Sequence, residues 1–188
     1  TSGTMLAHHL LFTGSTDGTV AIWDVSWAVR GRPAPAQGME TLQVLTGVHA
    51  MGVNTLHVRT ARVEREFDSI WLATGGDDNS IRYSHLALRT LGTITHLSTC
   101  AVPQACASAL KSVWTDGRRM LAVGWNQRLS VWSIQEQLPQ QECKLVHETS
   151  CFVHVADASS MDVVTGDHGR LTVVVVGQGV EVVSLLPS

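Results

Sequence analysis

The stretch from Leu10 to Asp24 contains a complete antiparallel hairpin with its own turn chemistry: LLFTGSTDGTVAIWD. Its first half is a short apolar strand, and Asp17-Gly18 supplies the positive φ angles that a two-residue hairpin turn requires. In the returning strand, Val20 and Ile22 alternate with smaller or polar residues. This hairpin constrains the fold more than any other feature because the rest of the chain repeats it imperfectly.

Three later stretches align with this hairpin: Thr74 to Ser84, Leu121 to Ser133 and Asp162 to Val176. Asp78 and then Asn126 occupy the position of Asp17, and the successive offsets are 61, 48 and 42 residues. Repeats of about 40 to 45 residues with loop insertions are typical of β-propeller blades. A strand, an Asp-Gly turn and a strand ending in Trp-Asp resemble the blade of the WD-repeat propeller. The sequence therefore predicts an all-β, WD40-type propeller segment with blade hairpins near 10–24, 70–85, 120–133 and 161–176.

Strands between these hairpins would complete each four-stranded blade. Apolar alternation predicts inner strands at Val53–Arg59, Ser108–Trp114 and Phe152–Ala156, and outer strands at Thr41–Leu45, Gly92–Leu97, Cys143–His147 and Gly179–Leu186. The chain then holds about three and a half blades, whereas closed propellers have at least four. Since half a propeller leaves unpaired edges, we expect residues 1–188 to form one C-terminal segment that upstream blades of a longer polypeptide complete. A short four-bladed propeller is the alternative.

Composition excludes several classes of protein. With 44% hydrophobic and 15% charged residues the chain is globular, and its net charge of -3 argues against binding nucleic acid through bulk charge alone. No apolar run is long enough to span a membrane, and the start of the sequence lacks the pattern of a signal peptide. Cys100, Cys106, Cys143 and Cys151 have no metal-binding spacing, so we expect reduced thiols in a soluble, cytoplasmic protein.

The sequence carries no catalytic motif of the nucleophile-elbow, zinc-helix, phosphate-loop or S-adenosylmethionine-binding kind. The densest cluster of metal-ligand residue types is Cys143, His147, Cys151 and His154. Strand residues are separated by roughly 3.3 Å each, and inner and outer strands face different neighbours. We therefore predict ordinary strand packing there, no enzymatic activity, and no metal or cofactor.

Beyond the repeat class, four segments resemble one family of WD-repeat proteins. They are the first hairpin, Gly52–His57, Gln127–Trp132 and Val176–Val182, in this order. They resemble the C-terminal blades of the WD repeat-containing protein six family, the WD-repeat partners of the tRNA ribose 2′-O-methyltransferase. The resemblance implies a cytoplasmic, non-catalytic scaffold that binds the methyltransferase, tRNA or both, and supports methylation at the wobble position of the anticodon loop. Ser26–Gly38 and Thr60–Ser69 depart from the family pattern.

Two other classes of function stay open at this point. The first is a general protein-interaction propeller, such as a ubiquitin-ligase or signalling adaptor. The second and weaker one is a direct enzyme.

WD repeats also hold a chain of structural hydrogen bonds, in which a loop His contacts the turn Asp, and a Ser or Thr and a Trp complete the network. The resemblance implies that His49, Thr74 and Asp78 form it in the second blade, where Ser84 replaces the Trp. The matching residues elsewhere are Thr13, Asp17 and Trp23 in the first blade and Trp132 in the third. Because buried polar groups must be paired, we expect these residues to rigidify the blades.

Seven arginines lie in connections that one face of a propeller would carry, since loops joining first to second and third to fourth strands emerge together. They are Arg30, Arg32, Arg59, Arg62, Arg65, Arg118 and Arg119, and we call this the arginine face. One interpretation is a solvated rim, because Glu64, Glu66, Asp68 and Asp116 dilute the charge. The functional interpretation is a contact for tRNA backbone or for an acidic partner. On the opposite face, Trp125 either packs against the next blade or contacts a partner.

Overall fold

A computed structural model describes residues 9–36, 38–39, 41–63, 67–89, 93–137 and 142–186, with the backbone alone at 61–63, 67–68, 136–137, 142 and 168. These residues form four antiparallel sheets of three, four, four and two strands. The first sheet contains β1 Leu10–Gly14, β2 Val20–Asp24 and β3 Thr41–Leu45. The second contains β4 Val53–Val63, β5 Phe67–Gly76, β6 Ile81–Arg89 and β7 Ile94–Val102. The third contains β8 Leu110–Thr115, β9 Arg119–Gly124, β10 Arg128–Gln137 and β11 Glu142–Phe152. The last sheet contains β12 Ala156–Thr165 and β13 Leu171–Leu185, and the one α-helical turn in the described residues is α1, Ser26–Val29.

The middle hairpin of each of the first three sheets turns through one residue in the left-handed region. These residues are Gly18, Asn79 and Gln127, with φ angles of 82°, 62° and 60°. Glycine and asparagine adopt this conformation readily, which explains why the Asp-Gly signal marks the turn and why Asn substitutes for Gly. β1 then pairs with β2 from Leu10 opposite Asp24 to Gly14 opposite Val20.

The hydrophobic core lies between neighbouring sheets. Val20 of β2 packs with Leu72 of β5, and Tyr83 of β6 packs with Met120 of β9. A further layer between the third and fourth sheets contains Leu121, Leu129, Leu171 and Val173, all with no exposed surface. The first strands β4, β8 and β12 lie side by side. This arrangement of sheets stacked around their innermost strands is that of a partial WD40-type β-propeller.

The fourth sheet differs from the sequence prediction. The predicted inner strand Phe152–Ala156 is wrong, because β11 continues through Phe152 and the next strand begins at Ala156. β12 pairs with β13, with Met161 opposite Val175, and packs beside β8 as β8 packs beside β4. The hairpin near 161–176 therefore joins the first and second strands of its sheet, rather than the second and third.

The predicted outer strand Gly179–Leu186 lies largely within β13, which folds back on itself and so supplies both the second and the third strand of the fourth sheet. In a fully extended strand, the 14-residue separation between Arg170 and Ser184 would span roughly 46 Å at 3.3 Å per residue. However, the guanidinium of Arg170 donates to the hydroxyl of Ser184 at 3.0 Å, across a separation of 14 residues. The reversal falls at Gly177–Gly179, where Gly179 has a φ of 135° and a Cβ on Gly177 would lie 2.5 Å from the carbonyl oxygen of Asp157. This glycine pair is the true middle turn of the fourth sheet.

Two further predictions are corrected by strand length and packing. The segment Thr60–Ser69, which includes one of the connections predicted to carry arginines, is largely strand, because β4 and β5 pair up to Val63 opposite Phe67. The cysteines are not all thiols: Cys100 of β7 and Cys143 of β11 form a disulfide, with their Cα atoms 5.7 Å apart. The sequence could not indicate this pair because it joins the outer strands of two different sheets. Cys106 and Cys151 are free.

The position of the core between sheets predicts a large effect of truncating one of its side chains. Leu121→Ala is expected to lower the free energy of unfolding by about 2 to 5 kcal/mol, because it removes buried contacts with the fourth sheet and leaves a cavity. Urea denaturation measures this change. Val180→Ala is the matched control: Val180 is 67% exposed, so truncating it should change the free energy of unfolding little. Equal midpoints for the two variants would contradict the assignment of the core.

Candidate functional site

His49 is the centre of a buried hydrogen-bond network on the second sheet. Its Nδ1 lies 2.9 Å from Oδ1 of Asp78, and its Nε2 lies 2.8 Å from the hydroxyl of Thr74. A carboxylate can only accept, so Nδ1 donates to Asp78, and Nε2 shares a hydrogen bond with the Thr74 hydroxyl. His49 is 2% exposed, and the structure brings it together with Thr74 and Asp78.

The Asp78 carboxylate ties the loop before β4 to the turn between β5 and β6. Burial opposes its ionisation, but hydrogen bonds from Ser80, the Ala50 backbone N–H and His49 outweigh burial and hold the pKa of Asp78 well below the ordinary value. The Ser80 hydroxyl donates to Oδ1 at 2.7 Å, and the Ala50 N–H donates to Oδ2 at 2.9 Å. The network is satisfied without Trp, which Ser84 replaces.

The first and third sheets keep parts of this network. Trp23 Nε1 donates to the Thr13 hydroxyl at 2.9 Å, and Asp17 accepts from the backbone N–H and hydroxyl of Thr19. These bonds lower the pKa of Asp17, which is fully exposed. Trp132 Nε1 instead donates to Ser130 on its own strand at 3.0 Å. Asp17 and Trp132 therefore lie outside any shared histidine network in the described residues.

Cys106 takes the place of His49 in the third sheet. Its backbone N–H donates to the Asn79 carbonyl, just as that of His49 donates to Gly18. Its thiol lies 3.2 Å from Oδ1 of Asn126, which occupies the Asp position of the turn. Sequence reasoning missed this residue because a Cys carries no WD-repeat signal, although its spacing from the turn could have marked it.

On the arginine face, Arg59 and Gly117 bring two neighbouring sheets together. Arg59 extends from β4, and Gly117 lies in the turn between β8 and β9 with a φ of 89°. A Cβ built on Gly117 would lie 2.0 Å from Nη1 of Arg59, so the guanidinium occupies the space that any side chain would fill. Arg118 follows directly and is exposed. Neither guanidinium forms a hydrogen bond or ion pair with the part of the chain that the structure describes.

Arg119 has a different environment from Arg59 and Arg118. Its guanidinium donates to Asp116 Oδ2 at 3.3 Å and to the Gly169 carbonyl of the fourth sheet at 3.2 Å. Asp116 Oδ1 also accepts the backbone N–H groups of Arg118 and Arg119, at 2.8 and 2.7 Å. The one acid in this turn is thereby fully engaged, and Arg119 joins the turns of two sheets.

The remaining predicted arginines are not gathered into this cluster. Arg30 and Arg32 are exposed on the connection after α1. Arg62 lies in β4, opposite Asp68 in the backbone register, rather than in an inserted loop. Arg65 lies outside the described residues. Arg170, which sequence reasoning passed over, lies in the equivalent turn of the fourth sheet.

His57 borders the arginine face beneath this turn. Burial lowers the pKa of its ring, and Asp162 opposes that shift. Its Nδ1 accepts the backbone N–H of Thr115 at 3.3 Å, which requires an unprotonated Nδ1 and so agrees with a neutral ring. His57 therefore supports the turn and adds no positive charge to the face.

Trp125 lies on the opposite face and is 57% exposed, so the interpretation of burial against the next blade is wrong. Its Nε1 donates to Asp157 Oδ1 at 3.0 Å, and the Lys111 ammonium lies 4.9 Å from its ring centroid. The ring borders an open cavity of about 420 Å³ with Asn126 and Gln127. Met51 and Phe152 are exposed on the same face.

Comparisons with known proteins agree with this architecture. The family model for the WD domain, G-beta repeat, matches residues 5–24, which include the first hairpin. No curated protein matches the chain. Among the described residues, no helix is long and apolar enough to cross a membrane.

Three solved structures share the fold. Sqt1 from Saccharomyces cerevisiae is 17% identical with a TM-score of 0.54, over 88% of this chain and 39% of that one. Sqt1 from Chaetomium thermophilum is 17% identical with a TM-score of 0.55, over 90% and 42%. The computationally designed Ika4 protein is 15% identical with a TM-score of 0.51, over 96% and 92%. The chain thus spans about two fifths of the Sqt1 proteins, with 39% and 42% covered. It contains a WD repeat and has the fold of WD-repeat proteins.

The buried network predicts a difference between two aspartates at equivalent turn positions. Asp78→Ala is expected to lower the free energy of unfolding by about 1 to 3 kcal/mol, because His49 and the Ala50 N–H lose their acceptor. Asp17→Ala should cost less, since Asp17 is exposed and bonds only within its turn. Urea denaturation compares the two variants. A larger loss for Asp17→Ala would show that the network does not hold the second sheet.

The lowered pKa of Asp78 also predicts an acid dependence of stability. Its folded-state pKa lies below the ordinary value of 3.8, so the unfolded chain binds the proton more readily. The stabilisation is present above this value and is lost as the pH falls below it. Free energies of unfolding measured between about pH 7 and about pH 3 should fall less steeply in Asp78→Asn than in the parent protein. Parallel curves would contradict the origin of the shift.

Proposed function

We propose that this chain is a non-catalytic WD-repeat scaffold whose arginine face contacts RNA backbone. By resemblance, the RNA is tRNA, and the scaffold supports 2′-O-ribose methylation at the wobble position of the anticodon loop by binding the methyltransferase, the tRNA or both. The observation that carries the proposal is the pair of unengaged guanidiniums, Arg59 and Arg118, on adjacent sheets. The methyl donor and the chemistry belong to the partner enzyme.

The local charge balance supports an anionic ligand. The negative charge of Asp116 is paired with Arg119, so the positive charges of Arg59 and Arg118 are in excess at this turn. Planar guanidiniums bind phosphate oxygens through paired N–H donors, and this contact needs no base sequence. An overall charge of -3 does not oppose it, because the positive charge is concentrated at one turn.

A general protein-interaction propeller, for example a ubiquitin-ligase or signalling adaptor, is the second candidate. The exposed Trp125, Met51 and Phe152 favour it, since aromatic residues and Met are enriched at protein interfaces. This face lies opposite the arginine face, so one chain can hold a protein partner and RNA together. Such a division of faces is compatible with the first proposal.

Partners within the same polypeptide and the cellular location also belong to this proposal. Val164, Val180 and Val182 are at least 60% exposed on the last sheet, which favours their being covered by further blades of a longer propeller. We place the protein in the cytoplasm with its RNA partner. The Cys100–Cys143 disulfide argues against this location, because disulfides are rare in reducing compartments.

The proposal predicts the salt dependence of tRNA binding. The double variant Arg59→Ala, Arg118→Ala should bind tRNA more weakly and lower the slope of log affinity against log salt by about 1.4, since each lost phosphate contact on single-stranded RNA removes roughly 0.7. Filter binding of the purified protein over a salt series measures the slope. Binding to the methyltransferase should be unchanged.

Arg128→Ala is the control, because Arg128 is exposed on the opposite face directly after the third middle turn. An unchanged slope in the double variant would refute RNA contact at this site. Release of the methyltransferase with an unchanged slope would assign the arginine face to the protein partner.

A further inference from the structure

We infer that Gly117 positions Arg59, so that Arg59 and Arg118 form one phosphodiester-binding site across the second and third sheets. This inference rests on the proposed function and deepens it by naming the residue that sets the geometry. Gly117 itself contacts no ligand. It acts through the guanidinium that lies against its backbone.

The space above Gly117 is filled by Arg59 in a way that only glycine permits. The position of a Cβ would be 2.0 Å from Nη1, 2.7 Å from Cζ and 3.3 Å from Nε of Arg59. Three guanidinium atoms therefore lie within 3.3 Å of the position that a Cβ would take, so the group lies directly against the Gly117 backbone. Since a guanidinium binds phosphate through a planar fork, a guanidinium that already lies against the turn loses less rotamer freedom on binding.

The turn places the backbone of a second arginine beside the Arg59 guanidinium. Arg118 is the next residue after Gly117, and its backbone N–H is held by Asp116 Oδ1 at 2.8 Å. The Gly117 backbone N–H donates to the Thr115 hydroxyl at 3.0 Å. These bonds occupy the backbone donors of the turn, so an anion must be bound by the side chains of Arg59 and Arg118. Arg119 is excluded because it bonds Asp116 and the Gly169 carbonyl.

The ligand chemistry is an accessible phosphodiester of single-stranded or loop RNA. Both arginines are exposed, so a phosphodiester on a flexible RNA strand can reach them from solvent. Free phosphate shares the same chemistry, although it cannot span successive contacts. An acidic protein segment would present carboxylates instead and is distinguished by competition.

The first test compares two glycines that share the left-handed conformation. Gly117→Ala should lower the salt slope of tRNA binding by about 0.7, as Arg59→Ala does, because the new methyl group displaces the guanidinium. Gly47→Ala is the matched control: Gly47 has a φ of 64° with nothing within 4 Å of a built Cβ, so it carries similar backbone strain without a clash. Its slope should equal that of the parent protein.

A double-mutant cycle then tests whether Gly117 acts through Arg59. In the Arg59→Ala background, Gly117→Ala should have no further effect on tRNA affinity. Additive losses, or a Gly117→Ala variant that binds tRNA as the parent does, would overturn the inference. If Arg59→Ala and Arg118→Ala alone leave the slope unchanged, the proposed function itself fails, so the two failures are distinguishable.

Arg59→Lys keeps the result decisive if Gly117→Ala does not fold, because it leaves the turn intact. It preserves the charge and loses the planar fork, so affinity should fall several-fold with the slope unchanged. Parent-like affinity in this variant would overturn the inference.

In competition, an unlabelled single-stranded oligoribonucleotide should displace tRNA, whereas inorganic phosphate and a hexaglutamate peptide should not. Displacement of tRNA by the peptide, at the same total negative charge as the oligoribonucleotide, would assign the site to an acidic protein.

Discussion

Hydrogen bonds from each inter-sheet loop to the turn of the preceding sheet hold this structure together. The backbone N–H groups of His49, Cys106 and Val153 donate to the carbonyls of Gly18, Asn79 and Gln127 at 3.0, 3.3 and 2.8 Å. Each acceptor has a positive φ, and this conformation turns its carbonyl toward the next sheet. The same backbone bond recurs although the side chains differ, so backbone geometry, and not the His–Asp network, is the common element of the repeat.

This constraint separates the two faces of the molecule. On the face that carries Trp125, the turns at Gly18, Asn79 and Gln127 link each sheet to the next. The His49–Asp78 pair adds side-chain bonds to one of these three links. On the arginine face, Arg119 donates from the turn between β8 and β9 to the Gly169 carbonyl, and among the described residues no backbone–backbone bond joins this turn to that between β12 and β13. Guanidiniums can therefore remain unengaged on that face without weakening the fold, which is the condition for binding an external anion.

Local signals predicted much of this fold. The Asp17-Gly18 turn and the outer strand Thr41–Leu45 follow from turn chemistry and alternation, whereas the meeting of His49 with Asp78 is implied by the resemblance to WD repeats. Local signals did not predict the strand order of the fourth sheet, because Gly169 and Gly179 both have positive φ and either could mark its middle turn. The Cys100–Cys143 disulfide and the Arg59–Gly117 contact join different sheets, so no short-range pattern encodes them. Asp116-Gly117 is nevertheless an Asp-Gly pair, and it could have marked that turn.

The most direct measurement is ultraviolet crosslinking of the protein to tRNA, followed by mass spectrometry of the crosslinked peptides. The account predicts crosslinks in the peptides that contain Arg59 and Gly117–Arg119, on the second and third sheets. Their loss in Arg59→Ala, Arg118→Ala would assign them to this site. Crosslinks confined to the face that carries Trp125, or no crosslinks to this chain within a competent methylation complex, would contradict the account.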